Sequence, residues 1–344
     1  MKAAGAALAL LPLMSQAANY SAKTGRVDGV DVVLLSDAAQ KTEVTVAPSI
    51  GNIAYRMMVN GKNALWVPYE SLGEMKAKPT MGAVPFLAPW ANRLDQDAFY
   101  ANGKKYLLNP DLANFRRDAN QKPIHGLLRF SSLWHVTAMK ADSSGAWVTS
   151  RLDFSKYPDL MEQFPFAHSI EMTYRLAKGV LEVETTLQNQ SSEPMPVGIG
   201  YHPYFQVHDA PRDEWRVHVA ARDKFTLSPQ LIPTGERTPV QLTDPVSLSS
   251  TKLDDVFGNL KTGADGRAEF WVQGKKEKVT VTYGPKYPVA VVYAPPGARF
   301  ICFEPMSGIT NAFNLAHAGI YKELQTIPPG GQWRESFWIS ATGF

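Results

Sequence analysis

Cysteine is all but missing from this chain. Cys302 stands alone among 344 residues, so no intrachain disulfide can form and the fold must rest on its core. Its apolar neighbours point to an inert packed thiol rather than a nucleophile. Charge of one sign is equally scarce: 35 lysines and arginines face 32 acids, a net charge of +3, and no basic stripe forms. That balance argues against nucleic acid as a partner. The densest charge cluster, residues 274–278, reads as the solvated tip of a hairpin. No apolar run beyond the N-terminus is long enough for a membrane span, so no membrane partner is expected.

Metal-binding and nucleotide-binding patterns are missing too. The seven histidines are scattered, and none pairs with another at a spacing of three or four. There is no glycine-rich phosphate loop and no Gly-X-Ser-X-Gly turn for a serine nucleophile. Helical periodicity is confined to short turns near residues 158–163 and 254–260.

The one apolar run is N-terminal. Lys2 precedes the uncharged stretch 3–14, and Ser15-Gln16-Ala17 then offers small residues at both cleavage positions. That order is the pattern of a secretory signal peptide over residues 1–17, too short for a permanent anchor. A mature chain starting near Ala18 and exported to the periplasm or the medium is the expectation.

What fills the rest is strand signal. Asn60-Gly61 and Asn102-Gly103 each sit between apolar segments, as tight hairpins require. The runs SIEMTYRL and VLEVETTL, joined by Ala-Lys-Gly, form the clearest hairpin. Further alternating runs follow to the C-terminus, with 25 prolines and 25 glycines marking the reversals. This predicts a single all-β domain, residues 25–344, of sandwich or barrel type.

Several residues stand out against that background. In VGIGYHPYF, glycines and Pro203 flank His202 and bias it to an extended conformation at a strand end. The local pattern leaves both a pocket-wall histidine and a core histidine open. Glu304 closes an apolar strand that Pro305 is expected to end; buried there, a carboxylate needs a cation, solvent or a functional cleft. The polar stretch after it offers Asn311 and Asn314 as hydrogen-bonding groups for hydroxyls. Asn92-Arg93 follows an apolar stretch, His125 precedes a glycine, and Asp254 is expected at a turn. Two histidines, an arginine and two acids suit acid–base work on a neutral, hydroxyl-rich ligand.

Taken together these stretches resemble the aldose 1-epimerase (galactose mutarotase) family. The matching pieces are Ala-Asn-Arg-Leu at 91–94, Phe-Tyr-Ala-Asn-Gly-Lys-Lys-Tyr-Leu-Leu at 99–108, Ile-His-Gly at 124–126 and Gly-Tyr-His-Pro-Tyr-Phe at 200–205. Leu-Asp-Asp-Val-Phe at 253–257, the stretch 303–314 and Pro-Pro-Gly-Gly-Gln-Trp at 328–333 follow in order. The resemblance implies a β-supersandwich of large antiparallel sheets and interconversion of the anomers of a free hexose, without a cofactor. It implies His202 as general acid and Glu304 as general base. His125, Arg93 and Asp254 would hold the sugar, and Asn92 would help shape the pocket. A carbohydrate-binding protein without turnover and a hexose 6-phosphate epimerase are the alternatives on the same fold. One departure is that Gly126 is followed by Leu-Leu-Arg-Phe where the family continues with a second glycine. Arg129 is read there as a surface residue, with an acidic or phosphorylated sugar as the other implication.

Overall fold

The structure, a computed structural model, describes residues 19–344; the signal-peptide expectation for residues 1–17 lies outside them. Two large antiparallel sheets dominate. The nine-stranded sheet runs in the order 135–142, 145–153, 168–177, 180–189, 332–342, 278–283, 268–273, 216–218 and 246–247. The second runs 233–239, 221–227, 253–260, 289–294, 301–306, 200–201 and 86–87, with Tyr204–Phe205 pairing on Ile301–Met306 as its eighth strand. A five-stranded meander, from Tyr20–Val27 to Lys62–Asn63, packs beside them. This is the all-β supersandwich of large antiparallel sheets that the sequence implied.

The alternation of side chains builds the layers. Strand His168–Ala177 buries Ile170, Met172, Tyr174 and Leu176, and its partner Val180–Asn189 buries Leu181, Val183, Thr185 and Leu187. Each strand thus turns alternate residues to one core. Tyr201 in the second sheet reaches across it, bonding Thr185 at 2.5 Å and packing on Phe337 at 4.7 Å between ring centroids.

Two expectations fail here. Leu253–Leu260 is a strand, not a helical turn, and Asp254 lies within it rather than at a turn. Leu253, Val256 and Phe257 have helix-like spacing, but the segment is paired on both edges, and tertiary pairing overrides so short a signal. Nor does Pro305 end its strand: Ile301–Met306 continues through it, opposite Ala290. In an antiparallel ladder only alternate residues bond a given neighbour, and the strand on the other side, Gly200–Tyr201, is two residues long.

His168 shows how the core treats a titratable group that has no part in the cleft. It is buried, stacks on Phe154 at 4.3 Å and has Nδ1 2.7 Å from the Phe166 carbonyl. Burial lowers its pKa to about 4 from the usual 6.5. The unfolded chain therefore binds a proton that the folded chain refuses between these values. The stabilisation is present above pH 6.5 and is lost as pH falls towards 4. Against a His168→Gln variant, wild-type stability in urea titrations should drop by about 1.4 kcal/mol per pH unit in that window. A difference that stays flat with pH would overturn this reading.

Candidate active site

Strand register places the acids. Glu304 pairs with Val291 and Asp254 with Tyr293, and Val291 and Tyr293 are two residues apart on one strand. All four therefore project from the same sheet face. The opposite face, with Phe257, Val292 and Phe303, belongs to the core between the sheets. Cys302 is on the Glu304 face but fully buried, and burial raises its thiol pKa well above normal, so it is the inert thiol expected.

Loops bring the remaining groups over that face. The main chain of His202 donates to the Pro85 carbonyl at 3.0 Å, and that of His125 donates to the Asn92 carbonyl at 2.8 Å. Gly200 answers why glycine precedes this histidine: a Cβ there would strike the Met306 sulfur and crowd the Pro305 carbonyl. With glycine, the Gly200–Tyr201 strand lies close against Met306 and hands on directly to His202. Asn92 and His125 both adopt left-handed backbone, with φ of 56° and 63°. Such strain in non-glycine residues gathers where a side chain must be aimed.

The outcome is one cleft of about 260 Å³ lined by Asn92, Arg93, His125, His202, Asp254 and Glu304, with Val291 and Tyr293. All six site residues named from the sequence meet there. His202 Nε2 lies 3.2 Å from Glu304 Oε1, and the His125 ring stands edge-on to His202 at 5.5 Å. Tyr204 stacks on His202 at 4.7 Å and 11°, fixing the ring plane. Glu304 Oε2 and His125 Nδ1 are buried without a hydrogen-bond partner among the described residues. Buried polar atoms are seldom left so, and these two are available to a ligand's hydroxyls.

Burial decides the charge state. Glu304 is 2% exposed, and burial, reinforced by Asp254, lifts its pKa well above the carboxylate range, while Arg93 pulls it down. Burial likewise lowers His202 to about 3 and holds His125 neutral, with the His202, Arg129, Arg93 and Arg116 charges adding to the latter effect. Burial thus disfavours the ionised form of both members of the touching pair. Among the described residues no cluster of three His, Cys, Asp or Glu side chains could hold a metal ion.

Three features escaped the sequence. Asp118 accepts Arg93 Nε at 2.5 Å, and Arg93 also donates to Asn92 Oδ1 at 2.8 Å. Burial pushes the Asp118 carboxyl up, but the Arg93 guanidinium and the Lys122 and Asn120 amides outweigh it and keep it ionised. No motif marked it, because an aspartate in a polar loop looks like any turn former. Asn311 and Asn314 brace the loop around residues 95–100: Asn311 Oδ1 accepts the Asp95 amide at 3.2 Å, and Asn314 bonds Asp95, Ala98 and Tyr100. The polar stretch that carries them folds in part as the short helix Ala312–His317, with Asn311 just before its start. Finally, Arg129 is no surface residue, being only 8% exposed.

Comparison with known proteins gives a consistent picture. The family model for aldose 1-epimerase matches residues 59–340. A galactose mutarotase-like protein from Clostridium acetobutylicum superposes with a TM-score of 0.83 at 21% identity, covering 95% of this chain and 99% of that one. Galactose 1-epimerase from Lactobacillus acidophilus NCFM gives a TM-score of 0.70 at 16% identity, over 94% and 100%. At these identities the likeness is one of fold. In sequence the chain is 24% identical over 237 residues to the uncharacterized protein YihR of Escherichia coli (strain K12), covering 66% of this chain and 70% of that protein.

Proposed function

Because the chain belongs to the aldose 1-epimerase family, we propose that it interconverts the α and β anomers of a hexose. The observation that carries this reading is the contact of His202 with Glu304 inside a cleft that also presents Arg93, His125 and Asp254. Opening a cyclic sugar requires a proton to leave the anomeric hydroxyl while another reaches the ring oxygen. A carboxylate and an imidazolium perform both transfers, and exchange roles when the ring closes on the other face.

In the free site the proton rests on Glu304, because burial disfavours both charged forms. A sugar hydroxyl donating to Glu304 Oε2, beside the Arg93 charge, favours the ionised carboxylate and passes the proton to His202 at 3.2 Å. Glu304 then takes the anomeric proton and His202 serves the ring oxygen. C1 turns about its bond to C2 in the open aldehyde, and reverse transfers restore both groups. Arg93 and His125 hold the ring oxygen and hydroxyls, contributing chiefly by placement.

Exchange spectroscopy by NMR on equilibrated glucose, galactose and other aldoses tests the proposal. Catalysed anomer exchange is the expected result, and calorimetric binding of these sugars with no exchange would replace it with the reading of a carbohydrate-binding protein. Asp118 enters as a positioning residue. Asp118→Asn removes the charge that anchors Arg93, so KM should rise by about tenfold while kcat falls less. A loss confined to kcat would mean that Arg93 does not act in binding.

A further inference from the structure

Arg129 is anomalous. A guanidinium carries five N–H donors, yet the one polar contact made by this side chain is Met81 Sδ at 4.0 Å. No carboxylate lies within 4.0 Å of it among the described residues, although the residue is only 8% exposed. Burial and the nearby Arg116 charge bring its pKa down to about 10, which still leaves it cationic. Its charge is otherwise met only by the Phe130 ring, 5.6 Å away, and a buried cation is normally matched by an anion.

Its place in the fold says where that anion belongs. Met81 packs in the cleft-side apolar cluster with Ala91 and Val291. The Arg129 charge falls on His125, His202 and Tyr204 but is not among the charges that bear on Glu304 or Asp254, which feel Arg93. It therefore lies near the two histidines, outside the residues that line the cleft itself. Arg116 joins it there: it pairs in register with Ile124, which lines the cleft beside His125, and it is exposed. Its neighbour Arg117 is by contrast committed to Asp97 through two bonds of 2.6 and 2.8 Å.

We propose that Arg129, with Arg116 at the rim, receives an oxyanion carried by the sugar, so that the substrate is an acidic hexose rather than a neutral one. This rests on the epimerase reading for the anion's position. If His202 serves the ring oxygen, the histidine side of the cleft faces the substituent on C5, so the charge sits at position 6. A carboxylate, a phosphate and a sulfate share that chemistry, and a guanidinium binds each through paired N–H donors.

The test measures kcat/KM for anomer exchange, corrected for the uncatalysed rate of each sugar, on glucose, glucuronate, glucose 6-phosphate and glucose 6-sulfate. At least one anionic sugar should exceed glucose by tenfold or more, with the advantage shrinking as salt is raised. Arg129→Met should bring that ratio down at least tenfold, and Arg129→Lys should restore part of it. A wild-type ratio at or below one for all three anions overturns the proposal, as does a ratio that Arg129→Met leaves in place. Should Arg129→Met not fold, the wild-type ratio and Arg129→Lys decide. If no sugar is turned over, the epimerase reading fails, and calorimetry with the same four sugars still decides this one. Binding of an anionic sugar that weakens in Arg129→Lys supports it, and binding blind to charge overturns it.

Discussion

Replacing Glu304 by glutamine should cut catalysed anomer exchange by about 10²–10⁴-fold, the range a general base contributes, and should at the same time make the protein more stable at neutral pH. Both effects come from the position of one carboxyl group. Glu304 is 2% exposed on a strand buried along its whole length, with Oε2 unpartnered and Oε1 against His202. Its folded pKa is raised, so its contribution to stability is fully present below about pH 4.5 and is lost as pH rises, until the folded group ionises. Over that interval wild type should lose about 1.4 kcal/mol per pH unit relative to Glu304→Gln, which cannot ionise. Urea unfolding of both proteins between pH 4.5 and 7 reads the widening gap, and polarimetry on fresh α-glucose, or on whichever sugar proves the better substrate, reads the activity. His202→Asn should lose activity to a similar degree. Full activity in either variant would remove the proton-transfer roles. A Glu304→Gln protein less stable at pH 7 than wild type would mean that the carboxylate is ionised and paired with an imidazolium in the free site.

The site was legible to the extent that its chemistry is written in residue type and immediate context. His202 between glycines and a proline, Glu304 closing an apolar strand, and Arg93 after an apolar stretch are each locally costly, and the structure gathers them into one cleft. What the local view lacked was the opposite wall. Asp118 matters only because the turn at residues 118–122 brings it to Arg93, and nothing in its own neighbours records that contact. Arg129 looked like surface because arginine is usually exposed; its burial follows from the packing of residues 126–130 against segments distant in the sequence, such as Gly51 and Ala88. Tyr201 and Tyr204 both stand close to His202 in the sequence. The backbone turn at Pro203 sends only Tyr204 to the imidazole, while Tyr201 goes to the core and Thr185. The pairs Tyr20–Val27 with Val30–Asp37 and Ala221–Leu227 with Pro233–Pro239 escaped the sequence, whereas the hairpins at Asn60-Gly61, Asn102-Gly103 and residues 177–179 were readable. Leu253–Leu260 was not, because its pairing partners lie far along the chain and its spacing imitates a helix.

That dependence on close backbone approach makes Gly126 a position beside the cleft where a single methyl group should do great damage. His125 and Gly126 are consecutive residues in left-handed backbone, with φ of 63° and 62°. Any L-residue at 126 accepts about 1–2 kcal/mol of conformational strain for that alone. The added Cβ would also fall on the Ala88 carbonyl. That carbonyl cannot simply retreat, since it accepts the Leu127 amide at 2.7 Å and the Leu128 amide at 3.3 Å, and Ala88 bridges Gly126 directly. Overpacking against fixed atoms costs about 1–3 kcal/mol more, so Gly126→Ala should lose roughly 2–5 kcal/mol. Gly103 is the internal control. It too has positive φ, 74°, but a Cβ there meets nothing within 4 Å, so Gly103→Ala should lose only the strain. Because the strained pair carries the His125 ring into the cleft, relief of the clash must also move that ring, and Gly126→Ala should lose activity even where it remains folded. Urea unfolding of the two variants side by side decides the matter: equal losses would show that the Ala88 carbonyl yields freely and that the cleft wall is softer than its hydrogen bonds imply.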